Sequence, residues 1–180
     1  MNVLILHGWA VSSRYYWIPY IKKELLKSSI SSLTPNLPNS KLPKFNNWSK
    51  IIIKGIKSLK SPKVVIGHSL GGLALLRTLE KKKLYLDLAV FIGVPLRINF
   101  TKQYLSPFFK KDYDWAKIRR SVKKVVVIHA KNDKLVDPKN AKELAKNLKA
   151  ELIITNNGGH FIQKTFPLLK KILLQEMKKL

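Results

Sequence analysis

The chain contains no cysteine. That excludes a disulfide framework, a thiolate nucleophile and any Cys-ligated zinc or iron–sulfur centre. No apolar run approaches the roughly 20 residues that a membrane-spanning helix needs; the longest lies around Leu88 to Leu96. Acid is scarce: ten Asp and Glu face 35 Lys and Arg, for a formal net charge of +25. Arginine is scarce as well, with only five (Arg14, Arg77, Arg97, Arg119, Arg120). The forked guanidinium preferred for phosphate and base recognition is therefore thinly supplied, and nucleic acid is disfavoured as a partner. The start, Met1 to Leu6, has no basic residue and runs into His7-Gly8 without a small-residue cleavage site. No secretory leader is read there, and a cytoplasmic protein is expected. There is no P-loop, no G-x-G-x-x-G and no metal-spaced cluster of His and carboxylates, so neither cofactor nor metal is expected.

What is present reads as a globular chain. Its 180 residues are 46% apolar and 25% charged, which fits one domain over 1–180. Val3 to Leu6, Lys63 to Ile66, Leu86 to Ile92, Val125 to Ile128 and Glu151 to Ile154 read as strands, with a further short one near Ile30–Leu33. Helical periodicity runs over Arg14–Lys27, Trp48–Leu59, Leu73–Leu84, Pro138–Leu148 and Thr165–Leu180. Strands that are apolar throughout, alternating with helices, predict a mostly parallel sheet of about five to six strands covered on both faces. Pro95 to Ser121 breaks the alternation. It is irregular and rich in aromatics, among them Phe100, Phe108, Tyr113 and Trp115. Insertions of this kind sit at the carboxyl ends of strands, where ligands bind.

Gly67-His68-Ser69-Leu70-Gly71-Gly72 is the sharpest chemical signal. It is G-x-S-x-G between a β-branched strand and a helix, the context that gives the motif its meaning. The turn holds Ser69 in a strained conformation and requires neighbours almost free of side chain, which Gly67 and Gly71 supply. Ser69 Oγ then projects at a helix N-terminus, where unpaired N–H groups favour developing negative charge. A serine hydroxyl needs a histidine base, and the base needs an acid to hold its tautomer. Downstream lie His129, within or at the end of a strand, and His160, in the loop after Gly158-Gly159; His160 is favoured. Asp137-Pro138 reads as a helix cap, so Asp133 is taken as the acid by elimination. Oxyanion donors are expected at the Leu70 and Trp9 N–H groups. His7 and His68, each beside a tight turn, read as structural. Val94, Phe108 and Trp115 are expected to shape the substrate pocket.

These residues resemble the α/β-hydrolase superfamily, and more narrowly the retinoblastoma-binding protein 9 / YdeN-like serine hydrolases, small enzymes without a large cap domain. Trp17, Lys22-Lys23-Glu24-Leu25, Asn36-Leu37-Pro38, Tyr113 to Ile118 and Gly158-Gly159-His160-Phe161 carry the resemblance with the Gly67–Gly72 motif. It implies a three-layer α/β-hydrolase fold. Carried over position by position, the nucleophile falls on Ser69, the acid on Asp133 and the base on His160. The implied activity is hydrolysis of a small-molecule ester, amide or thioester, a carboxylic ester foremost. Without cysteine the family's L-x-C-x-E pattern cannot exist, so no retinoblastoma-type partner is carried over.

The 30 lysines are spread over every helix, as on a solvated surface, and are densest from Lys110 to Lys124. That patch can steer an anionic substrate. The competing reading is a non-catalytic protein of the same fold that binds an acidic partner through its lysines.

Overall fold

A computed structural model describes residues 2–97, 103–109 and 112–180. Phe100 and Lys110, named above in the aromatic and basic segments, lie outside them. Six strands, β1 (Val3–Leu6), β2 (Ser32–Leu33), β3 (Val64–His68), β4 (Leu86–Ile92), β5 (Val122–Ala130) and β6 (Glu151–Thr155), form one sheet. Its order is β2-β1-β3-β4-β5-β6 and every pairing is parallel. The helices are α1 (Ile18–Lys27), α2 (Phe45–Ser58), α3 (Leu70–Lys81), α4 (Trp115–Arg120), α5 (Pro138–Leu148) and α6 (Pro167–Met177).

Successive strand residues point to opposite faces, so an unbroken apolar strand feeds two cores. Val3, Ile5, Val64, Ile66 and Val90 pack with Trp17, Ile21 and Leu25 of the α1 side and Leu169 and Leu173 of α6. Leu4, Leu6, Val65, Ala89 and Phe91 pack with Trp48 and Ile52 of α2, Leu73 and Leu76 of α3, and Leu144 of α5. The result is the three-layer arrangement expected. Each fully buried Leu, Ile or Val contributes about 1.5–3 kcal/mol of transfer free energy, so the sheet anchors both layers.

Several boundaries differ from the sequence reading, and three of the differences have a local reason. The first helix begins at Ile18 rather than near Arg14, with Pro19 in its first turn. α3 begins at Leu70 rather than Leu73, because Ser69 itself stands at its N-cap. The stretch from Pro95 to Ser121 is not irregular throughout: a 3₁₀ turn spans Gln103–Phe108, and Asp114 starts α4 by accepting a hydrogen bond from Lys117 N–H at 2.9 Å. Arg77 of α3 ties this segment down. It is fully buried, donates to the carbonyls of Phe108 and Asp112 at 3.1 Å each, and lies 3.6 Å from the centre of the Tyr113 ring.

From β1 the chain passes to β2 on one side and then to β3 on the other. The connections at the carboxyl ends of β1 and β3 therefore diverge and leave a crevice there. No helix among the described residues is long and apolar enough to cross a membrane.

Candidate active site

The crevice is built from the turn after β3. Ser69 has φ 51° and ψ −125°, in the left-handed half of the map that costs a side-chain-bearing residue on the order of 1–3 kcal/mol. Its neighbours show why the motif needs glycine. A Cβ on Gly71 would stand 2.3 Å from the His7 carbonyl oxygen, and one on Gly67 would stand 2.4 Å from Gly72 Cα. The start of α3 thus lies directly on the end of β1. Ser69 N–H donates to the Ile92 carbonyl at 2.8 Å, which pins the turn to β4 as well.

Three side chains from three loops meet at this turn. His160 Nε2 lies 2.8 Å from Ser69 Oγ, and His160 Nδ1 lies 2.8 Å from Asp133 Oδ2. The other carboxylate oxygen, Asp133 Oδ1, accepts from Leu135 N–H at 2.8 Å and Val136 N–H at 3.0 Å. Burial pushes the Asp133 pKa up, but the hydrogen bonds from His160, Val136 and Leu135 and the nearby imidazole outweigh it and leave the carboxyl below its ordinary value. Asp133 is thus an ionised acceptor at neutral pH. The two loops are tied together independently, because Gly159 N–H donates to Asn132 Oδ1 at 2.9 Å.

The remaining histidines surround this relay as neutral hydrogen-bonding groups. His7 accepts from Leu37 N–H at Nε2, 2.8 Å, so its proton sits on Nδ1 and is donated to the Gly8 carbonyl at 2.9 Å. A trans peptide carries its N–H opposite its C=O. This bond therefore orients the Gly8–Trp9 peptide, whose N–H belongs to Trp9. His68 Nε2–H donates to the His160 carbonyl at 2.9 Å, and its ring centre is 5.1 Å from that of His160. Burial, followed by the charge that His160 can carry, pushes the His68 pKa down to about 3. His129 Nε2–H donates to the Val136 carbonyl at 2.9 Å and stands 3.5 Å from Asp133 Oδ2. Burial likewise lowers the pKa values of His7 and His129.

A cleft of about 700 Å³ opens over Ser69. Trp9, Ser69, Leu70 and His160 all line it, while Asp133 stands behind His160. Its walls are largely apolar, formed by Val11, Tyr16, Leu105, Leu135, Val136 and Ile162. Arg97, Asp137, Lys139 and Asn140 also line it. Arg97 is engaged by both carboxylate oxygens of Glu143, and Asn140 Oδ1 accepts from Leu96 N–H at 2.9 Å.

The expected pocket residues Val94, Phe108 and Trp115 are not brought to this cleft, and that expectation is corrected. Val94 is 2% exposed and faces α3, where its Cγ2 lies 2.4 Å from the position of a Cβ on Gly72. Phe108 is fully buried, edge-on to Trp48 at 5.4 Å and Phe45 at 5.6 Å. Trp115 stacks on Tyr113 at 4.5 Å. Arg77 draws the inserted segment down onto α3, so Phe108 joins the core and Phe109, Tyr113 and Trp115 pack against it. Leu135 and Ile162 went unnoticed in the sequence because nothing but adjacency to Asp133 and His160 marks them. Asn140 had one signal, an amide in the first turn of a helix already capped by Asp137.

Parallel strand order, the strained serine turn and helices on both faces define the α/β-hydrolase fold. A family model described as serine hydrolase matches residues 3–166, and the chain belongs to that family. It is 33% identical to YdeN of Bacillus subtilis (strain 168) over 167 residues, covering 90% of this chain and 86% of that protein. The crystal structure of the ydeN gene product superposes with a TM-score of 0.92 at 29% identity, over 98% of each chain. Serine hydrolase RBBP9 of Rattus norvegicus is 22% identical over 167 residues, 93% of this chain and 85% of that one. A meta-cleavage product hydrolase from Pseudomonas fluorescens, at 14% identity, shares the fold with a TM-score of 0.77 over 99% of this chain and 90% of its own.

Proposed function

We propose that this hydrolase, acting as a single domain, cleaves a small-molecule carboxylic ester through an acyl-serine intermediate, with Ser69, His160 and Asp133 as its triad. The observation that carries the reading is the unbroken relay from Ser69 Oγ through His160 to Asp133, 2.8 Å at each step, on a serine held at positive φ. His160 Nε2 takes the hydroxyl proton as Ser69 Oγ attacks the carbonyl carbon. Asp133 accepts from Nδ1–H, which fixes the tautomer that leaves Nε2 free to take that proton, and it stabilises the imidazolium. The tetrahedral oxyanion is met by Leu70 N–H, in the first turn of α3, and by Trp9 N–H; each such donor is worth about 10²–10³ in rate. Collapse of the intermediate expels the alkoxide, which leaves with the proton from His160. Water, deprotonated by the same imidazole, then releases the acid and restores Ser69. The apolar walls of the cleft favour an acyl chain over a charged one.

A fluorophosphonate probe tests the reading. Folded protein labels at Ser69, and Ser69→Ala does not; a panel of esters, amides and thioesters then ranks the leaving groups. Well-folded protein that takes up no probe and cleaves none of the panel overturns it.

A further inference from the structure

Among the described residues nine large apolar side chains are exposed. Their distribution is uneven. Six of them, Trp9, Tyr15, Leu42, Tyr104, Leu135 and Ile162, stand on the loops that leave the carboxyl ends of β1, β2, β4, β5 and β6. The connections that carry them all leave the sheet at the end where Ser69 stands. Trp9, Leu135 and Ile162 line the cleft directly. Tyr15 packs edge-on against Tyr16 of the cleft wall at 6.1 Å, and Leu42 adjoins Lys41, whose carbonyl accepts from the Trp9 indole N–H at 3.0 Å. Single exposed apolar residues are ordinary; several gathered at one end of a sheet, three of them lining one opening, mark an interaction surface.

The charge at this end is predominantly positive. Arg14, Lys41, Lys134 and Lys164 are exposed beside or within two residues of these tips. Four carboxylates share these loops: Asp133 is buried against His160, Asp114 and Asp137 each cap a helix, the latter also lining the cleft, and Asp112 is exposed. Apolar tips collared by lysines match the boundary between anionic headgroups and acyl chains, where apolar burial and charge attraction add. A nucleic-acid surface offers nothing for Leu42, Leu135 and Ile162 to enter, and it draws on flat stacking platforms and arginine instead.

We propose that the cleft rim docks on an anionic lipid surface, and that the substrates are amphiphilic esters held in such a surface. The substrate half of this inference rests on the proposed hydrolysis; the docking half does not. Docking aims the opening of the cleft at the acyl chains, so an ester passes from the surface to Ser69 without crossing bulk water.

The test uses Ser69→Ala protein, so that binding is read without turnover, in sedimentation with vesicles of phosphatidylcholine alone or mixed with phosphatidylglycerol. The mixed vesicles should bind it and the neutral ones should not, with binding weakened by salt. Adding Tyr15→Ser and Leu42→Ser, both outside the catalytic and cleft-lining groups, should weaken binding about 10-fold or more. In the Ser69 background the same pair should leave fluorophosphonate labelling and turnover of a water-soluble short ester unchanged, which also reports that the fold is intact. The proposal is overturned if anionic vesicles do not bind. It is equally overturned if the pair leaves binding unaltered, which would assign the attraction to lysines alone, or if duplex DNA binds more tightly than the vesicles. Loss of labelling in the unaltered protein would strike the proposed chemistry and leave the vesicle result standing.

Discussion

Replacing His68 with glutamine should remove part of the protein's sensitivity to acid. The folded imidazole is held at a pKa of about 3, against 6.5 for the free group, chiefly because it is buried. As the pH falls through about 6.5 the unfolded chain takes up a proton at this position, and the folded chain does not. The unfolded state therefore binds more protons throughout the window from about 6.5 down to about 3. Stability is fully present above that window and declines as the pH falls through it. Between pH 7 and pH 5 the difference amounts to about 1.5 pH units below 6.5 at about 1.4 kcal/mol each, or roughly 2 kcal/mol. Glutamine keeps a donor for the His160 carbonyl that His68 now serves at 2.9 Å, and it does not titrate. His7 and His129, also held below their ordinary values, remain in both proteins and cancel from the difference. Urea titrations of both proteins at pH 7 and pH 5 supply the measurement. The parent should lose about 2 kcal/mol more than His68→Gln over this interval. Equal losses would refute the argument, because the acid sensitivity would then arise elsewhere.

Two further substitutions separate chemistry from packing. Asp133→Asn keeps an acceptor for the Leu135 and Val136 N–H groups but removes the charge facing His160. It should lower kcat on a short ester by about 10²–10⁴ while the far-ultraviolet circular dichroism stays the same. Gly71→Ala places a methyl 2.3 Å from the His7 carbonyl oxygen, a backbone atom that cannot swing away. It should cost about 3 kcal/mol or more, read as a fall in Tm, and an unchanged Tm would show that α3 can shift on β1.

The parallel sheet and the serine turn were legible because each is written in contiguous residues. Val64 to Ile66 is apolar on both faces, and only glycines fit at 67 and 71 around a serine at φ 51°. The three residues of the relay could be chosen because the chain offers few alternatives, with two histidines downstream of Ser69 and Asp137 already engaged at the start of α5. The pocket was not legible. Aromatic residues between Pro95 and Ser121 have the same sequence whether they face a ligand or a core. The choice was made by Arg77, in a helix some thirty residues earlier, whose guanidinium finds its acceptors at Phe108 and Asp112. No local pattern in either segment encodes that meeting.

The histidines carry the same argument further. All four of them stand at this one end of the sheet, and three take no part in the Ser69–His160–Asp133 relay. Each of the three donates to the backbone of a loop that carries part of the candidate machinery. His7 orients the Gly8–Trp9 peptide, His68 holds His160 by its carbonyl, and His129 holds Val136 beside Asp133. A protonated imidazole would keep the donor but carry a buried charge, which is why burial drives all three toward the neutral form. Asparagine or serine could donate the same bonds without that liability. Imidazole instead supplies a rigid ring that fills the space between loops, as His68 does among Tyr16, Trp17 and His160. The acid sensitivity expected of His68 is thus the thermodynamic cost of fixing the base loop with a flat, buried, titratable group.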